Sequence, residues 1–154
     1  MEKQPYTWRD RWDIIDHEGN RVYRIRTKLS WGHIITIEDK DEEVVAKIKD
    51  NLPSYFPHFK IECGEDVGSV KRKFTLGATR FDMSFLGMFI KGDFLEDHYM
   101  ICDRKGRILL SVETEYLNGR VRYVLDVKVQ RQAVPVIALF SAIEGLKDLN
   151  SKIS

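Results

Sequence analysis

Ten consecutive residues, Val134-Pro-Val-Ile-Ala-Leu-Phe-Ser-Ala-Ile143, carry no charge, and Val134, Ile137, Leu139, Phe140 and Ile143 cover most of the circumference of a helix. Pro135 is compatible with a first turn, where a residue has no intrahelical N–H bond to lose. Glu144-Gly145 closes the run, and a helix is predicted over about 133–148. A surface helix keeps a polar stripe; one that is apolar all round must be enclosed. Ten uncharged residues fall short of the ~20 that a bilayer core of ~30 Å requires, so the enclosure has to be protein.

The rest of the chain supplies the wall. Ile, Val and Thr number 14, 12 and 6 against five Ala, three of which lie in the helical segment, so the remainder favours strands. Four hairpins are predicted. Trp12–Asp16 and Arg21–Leu29 flank His17-Glu-Gly-Asn20; His33–Glu38 and Glu43–Lys49 flank an Asp39–Glu42 corner; His58–Glu62 and Val67–Phe74 flank Gly64–Asp66; His98–Asp103 and Arg107–Glu113 flank Arg104-Lys-Gly106. Val121–Val129 then alternates cleanly, with Val121, Tyr123, Leu125, Val127 and Val129 on one face.

These hairpins have an internal period. Asp16, Asp39 and Asp103 each stand nine residues before an apolar residue, Ile25, Ile48 and Val112. In the returning strands Val22 and Ile25, Val45 and Ile48, and Val67 and Val70 are spaced by three, which places them on opposite faces of a flat strand unless a bulge intervenes. Bulges bend strands, so the expected fold is mainly β, a closed barrel with the C-terminal helix along its axis. With 154 residues, one domain spanning 1–154 is expected.

Asp16–Ile25, Leu29–Ile37, Val45–Lys49, Val70–Leu76, Gly92-Asp-Phe94 and the terminal strand with its helix, in this order, resemble the LURP-one-related family. That family shares the tubby C-terminal-like fold with tubby proteins and phospholipid scramblases. The resemblance implies a closed barrel of about twelve strands around a central hydrophobic helix. It also brings lipids into view, because tubby domains bind phosphoinositide headgroups and scramblases act on lipids. One departure is the helix entry, Arg131-Gln-Ala133, where similar sequences often carry an acidic residue.

Catalytic and metal motifs are absent from the sequence. His17, His33, His58 and His98 have no ligand spacing, there is no Cys-x-x-Cys, and no Gly-x-Ser-x-Gly, Walker loop or dinucleotide fingerprint occurs. Neither an enzyme nor a cofactor is expected. Cys63 and Cys102 lie near the turns of two hairpins and read as ordinary thiols of a reducing compartment. Residues 1–16 carry Glu2, Lys3, Arg9, Asp10, Arg11 and Asp13, unlike a signal peptide, so the chain reads as cytoplasmic.

The candidate binding residues are basic. Alternation places Arg24, Arg26 and Lys28 on one face of a strand, and Lys71 and Lys73 on one face of another, with Arg72 between them; Arg120, Arg122, Lys128 and Arg131 lie near the terminal strand. Gathered on one face, the first six would take anionic headgroups; otherwise they are the solvated outside of a barrel. Residues 1–77 hold 14 basic and 14 acidic groups and residues 78–154 hold 11 and 10, so no strong global field steers the chain to a membrane or to nucleic acid. Two further readings compete. Aromatic residues of Leu52–Phe59 and Phe81–Phe94, with Phe85, Met88 and Phe89, form either a protein-docking patch around Tyr55–Phe59 or caps over the barrel ends. A hollow barrel carrying a lipophilic ligand would need the helix outside. Tyr6, Trp8 and Trp12 are expected to dock the N-terminus. The oligomeric state is not legible.

Overall fold

The computed structural model describes residues 2–3, 11–30, 32–50, 58–75, 78–93 and 98–153, and side chains over 11–28, 34–50, 58–71, 82–92 and 98–147. Among the described residues twelve strands precede an α-helix: β1 (Glu2–Lys3), β2 (Arg11–Ile15), β3 (Arg21–Ser30), β4 (Gly32–Glu38), β5 (Val44–Asp50), β6 (His58–Cys63), β7 (Asp66–Thr75), β8 (Ala78–Ser84), β9 (Phe89–Asp93), β10 (His98–Cys102), β11 (Ile108–Leu117), β12 (Arg120–Val127) and α1 (Ala133–Ile153). The strands form a seven-stranded sheet in the order β2-β3-β4-β5-β6-β7-β8 and a five-stranded sheet in the order β1-β12-β11-β10-β9, with every pairing antiparallel.

The expected closed barrel is therefore met in strand number but not in continuous hydrogen bonding. Among the described residues no ladder joins β8 to β9 or β1 to β2, so the wall is two sheets with two seams. Both sheets nevertheless pack on the helix. Every residue from Val136 to Leu146 is buried, three full turns without a solvated side. The five-stranded sheet reaches α1 through Tyr99 and Tyr123 at Glu144. The seven-stranded sheet reaches it at the next residue, Gly145, where a Cβ would lie 3.2 Å from Ile35 Cδ1 and 3.3 Å from Phe59 Cε2. Gly145 thus does not stop the helix, which continues to Ile153; it lets the backbone approach the sheet. Leu139 and Phe140 are fully buried, which removes the hollow-barrel reading.

The Asp period has a local cause. Asp16, Asp39 and Asp103 each accept two backbone N–H bonds at Oδ1, from Glu18 and Asn20, from Asp41 and Glu43, and from Lys105 and Arg107, all at 2.9–3.1 Å. Each also closes its loop through its own backbone, Asp16 N–H to Asn20 O, Asp39 N–H to Glu43 O and Asp103 N–H to Arg107 O, each 2.9 Å. One bulge accompanies each turn, leaving Val22, Val45 and Leu109 as the extra residues of the returning strands. Ile25, Ile48 and Val112, nine residues past the three Asp, are completely buried.

The third hairpin departs from this plan. Cys63 pairs with Asp66 across a two-residue loop whose Gly64 has φ +61°, and the β6–β7 register runs unshifted from Cys63 to His58. The bulge expected between Val67 and Val70 is absent, and the flat strand puts them on opposite faces, Val67 60% exposed and Val70 buried.

Candidate functional site

Strand alternation builds one basic surface. Ile25 and Thr27 in β3, Ile35 and Ile37 in β4, Ala46 and Ile48 in β5, Phe59 and Ile61 in β6 and Val70 in β7 point to the core. The intervening residues point outward. They include Arg24, Arg26 and Lys28 of β3, Lys47 and Lys49 of β5, Lys60 of β6 and Lys71 of β7, with Glu38 and Glu62 between them. β3 and β7 are separated by three strands, so the two predicted basic groups do not touch. Lys47, Lys49 and Lys60, which the sequence reading passed over, bridge the gap.

Register sets their spacing. Lys28 is opposite Ile34, Ile34 opposite Lys49, and Lys49 opposite Lys60, so three lysines share one row across four strands. At ~4.8 Å per strand the row spans about 14 Å. Lys47 stands in the adjoining row with Arg26, Thr36 and Glu62, and Lys71 in the row opposite His58 and Asp82. Cations directly opposite one another repel. Glu62 relieves Lys49 and Lys60 at 3.8 and 3.4 Å, one carboxylate shared by two ammonium groups.

The arginines are held differently. Arg24 Nε donates to Asp13 Oδ1 at 2.7 Å, and its side chain is only 12% exposed. That hydrogen bond, opposed by partial burial, lowers the Asp13 carboxyl below its ordinary value. Arg26 Nε donates to Glu38 Oε2 from a more open position. Both guanidinium groups are thus bound to carboxylates of neighbouring strands, as Lys49 and Lys60 are to Glu62, while Lys28, Lys47, Lys60 and Lys71 are exposed. Arg72 and Lys73 are placed by register alone, opposite Phe81 and Arg80 in β8; their side chains lie outside the described residues. Arg122 faces Glu115 at 4.0 Å, and Lys128 pairs with Asp126.

The other charged constellation is internal and was missed from the sequence. Glu144, 2% exposed in the middle of α1, accepts from the Tyr99 hydroxyl at 3.0 Å and Lys147 Nζ at 2.9 Å on Oε1, and from the Tyr123 hydroxyl at 2.9 Å on Oε2. Lys147 Nζ also stands 4.8 Å from the centroid of the Tyr99 ring. Burial first, then the Glu144 charge, push the Tyr99 hydroxyl well above its ordinary value, so it remains a donor. The signal available was a lone Glu directly following an uncharged helix, with Lys three residues on. The group is fully partnered and has a fastening geometry, tying α1 to β10 and β12.

The described aromatic residues divide between core and surface, where Tyr116 is 64% exposed. Phe59, Phe85 and Met88 are buried, as is Trp12, whereas Phe89 is 40% exposed. Tyr6, Trp8 and Tyr55 lie outside the described residues. Cys63 and Cys102 are free thiols in different sheets, both raised above the ordinary thiol value chiefly by burial. Among the described residues no group of three His, Cys, Asp or Glu is placed to hold a metal ion, and no helix is long and apolar enough to cross a membrane.

Comparison with known proteins gives a family and little else. A family model described as LURP-one-related matches residues 1–144. The uncharacterized protein YxjI of Bacillus subtilis (strain 168) is 22% identical over 141 residues, covering 90% of this chain and 86% of YxjI. No solved structure matches.

Proposed function

The chain belongs to the LURP-one-related family, and from that premise we propose that it is a non-enzymatic binding or scaffold protein that docks on anionic phospholipid headgroups through the outer face of β3–β7. The observation that supports this reading is the cross-strand row Lys28, Lys49 and Lys60, extended by Lys47 and Lys71. A row of ammonium groups one to two strand spacings apart meets several phosphates at once, and near an anionic surface each cation contributes about 1 kcal/mol. In this reading the two sheets are the halves of one twelve-stranded barrel wall around α1, which gives the lysines a rigid platform. The protein is cytoplasmic and peripheral to the membrane, takes no cofactor, and performs no catalytic step.

Co-sedimentation with phosphatidylcholine vesicles, alone or containing phosphatidylserine or phosphoinositide, at low and high salt tests it. Binding to the anionic vesicles alone, weakened by salt and lost in Lys28→Glu/Lys49→Glu/Lys60→Glu, is expected. Arg24→Ala, whose guanidinium is already committed to Asp13, should bind much as the parent does. Equal binding by parent and triple variant would refute the assignment.

A further inference from the structure

The turn that follows the last strand of the seven-stranded sheet carries a residue the fold does not ask for. Phe85 O accepts from Met88 N–H at 3.0 Å, and the two residues between them, Leu86 and Gly87, have φ +52° and +67°. Positive φ at both central positions is the pattern of a type I′ turn, which Asn-Gly takes without strain and leucine does not. Leu86 gains no burial in return: it is 44% exposed, while Phe85 and Met88 on either side of the turn go to the core. A large apolar side chain held on strained backbone and turned to solvent points to a contact outside the chain.

Register puts Leu86 at the border of the basic face. The β7–β8 ladder pairs Ser69 with Ser84, and just past its end a Cβ on Gly68 would meet Ser84 O and Phe85 Cβ, so Leu86 comes beside Val67. Val67, also exposed, is opposite Glu62, and Glu62 is opposite Lys47, so the apolar pair ends the row that holds Lys47. The next row runs Lys49, Lys60, Ser69, Ser84. Cations also border the turn on its far side. Arg104 Nε is 2.8 Å from where a Cβ on Gly87 would lie, and Phe89 and Lys91 are exposed on β9.

An anionic bilayer fits this arrangement. Cations meet phosphates, while an apolar side chain among them reaches past the headgroups toward the acyl boundary. A protein partner would need more, because a stable interface buries about 800 Å² on each side and this patch offers Val67, Leu86 and Phe89. We infer that Leu86, with Val67 and Phe89, inserts between the headgroups of the anionic membrane on which the lysines dock. The inference rests on the headgroup reading above and adds what the lysines lack, a hold on the bilayer that salt does not screen. Glu65 and Asp66 at the β6–β7 turn, and Asp82 opposite Lys71, stay in water and keep the insertion to the depth of a side chain.

Co-sedimentation with phosphatidylcholine vesicles containing phosphatidylserine, at low salt and at about 1 M salt, tests it. Leu86→Asn, polar and suited to positive φ, should melt at or above the parent's temperature yet bind these vesicles about tenfold more weakly. At high salt, where the lysine contribution is screened, the parent should keep residual binding that Leu86→Asn lacks. Leu86→Met, as apolar as the parent, should bind as the parent does. The two readings fail separately. Leu86→Asn binding as tightly as the parent at both salts would overturn insertion and leave the lysine row standing. Lys28→Glu/Lys49→Glu/Lys60→Glu binding as the parent does, with Leu86→Asn released, would refute the lysine row and support insertion. No binding of the parent to these vesicles would overturn both. Parent chains that pair in solution where Leu86→Asn chains do not would make the occupant a second copy and overturn insertion.

Discussion

Tyr123 donates its hydroxyl proton to Glu144 Oε2 at 2.9 Å, linking β12 of the five-stranded sheet to the middle of the enclosed helix. The same ring stands edge-on to Phe140, centroids 5.4 Å apart, so one side chain both packs and polarises the core. A buried carboxylate with three donors is stable as a set and costly in pieces. Tyr123→Phe should therefore destabilise by about 1–3 kcal/mol, the cost of a buried acceptor losing its donor. Glu144→Leu orphans two tyrosine hydroxyls and the Lys147 ammonium and should cost more. Adding Tyr99→Phe and Tyr123→Phe to Glu144→Leu removes both hydroxyl orphans, leaving only the partly exposed Lys147 without its carboxylate, and should recover much of the loss, as apolar replacement of buried ionic sets often does. Urea unfolding of the three variants checks this; a triple variant no better than Glu144→Leu would show that the network contributes by more than mutual satisfaction.

Tyr99 predicts how stability responds to alkali. Its hydroxyl titrates well above the ordinary value of 10.0 in the folded chain because the site is buried and faces the Glu144 charge. Above pH 10 the unfolded chain therefore gives up a proton that the folded chain retains, and stability falls as pH rises toward the folded value. Unfolding free energy measured from pH 8 to pH 11 should show this decline, and Tyr99→Phe should make it shallower. An unchanged slope in Tyr99→Phe would assign the decline to other groups.

Two glycines separate tolerable from intolerable crowding. At Gly145 an added Cβ meets only side-chain ends, Ile35 Cδ1 and Phe59 Cε2, at 3.2 and 3.3 Å. Alanine gains about 1 kcal/mol of helix propensity there, against an overpacking cost of about 1–3 kcal/mol, so Gly145→Ala should be close to neutral or mildly destabilising. At Gly68 the Cβ would lie 2.2 Å from the Ser84 carbonyl oxygen and 2.7 Å from Phe85 Cβ, and backbone cannot step aside. Gly68→Ala should be much the more damaging of the two. Thermal melts of both decide it, and Ile35→Val should improve Gly145→Ala but not Gly68→Ala.

What could be read from the sequence was whatever is encoded within a strand or a turn. The Asp-to-apolar interval of nine residues survives because cap, turn and bulge all lie inside one hairpin, as Asp16 and Ile25 illustrate. The enclosure of α1 followed from its own side chains. The lysine row was invisible because Lys28, Lys49 and Lys60 are brought together by three successive registers, each set by a different hairpin or connection. Val67 misled because a spacing of three marks a bulge only if both residues reach the core: Val22 and Val45 are partly buried and pack against it, whereas Val67 is 60% exposed. Glu144 escaped because its partners come from β10 and β12, 45 and 21 residues away.

The three Asp turns test whether the repeat is a repeat in energy as well as in geometry. Asp16 and Asp39 do the same work, each accepting two backbone N–H bonds in a loop that sits on its own hairpin. Replacement by Ala should cost about 1 kcal/mol at each, in the range of a lost cap, and because the turns share no partner the double variant should lose the sum. Asn, which keeps one side-chain oxygen, should lose less. Asp103 adds a pH signature, because the Arg107 and Lys105 backbone bonds and the Arg107 charge hold its carboxyl below the ordinary 3.8 despite some desolvation. A carboxyl lowered by folding stabilises fully above its unfolded value and loses that contribution as pH falls through the folded one. Stability of the parent should therefore drop below about pH 4, and Asp103→Asn should reduce the drop. Denaturant midpoints of the single and double variants measure the first claim. A double variant losing clearly more than the sum would mean that the turns communicate through the sheet, which their separate ladders do not suggest.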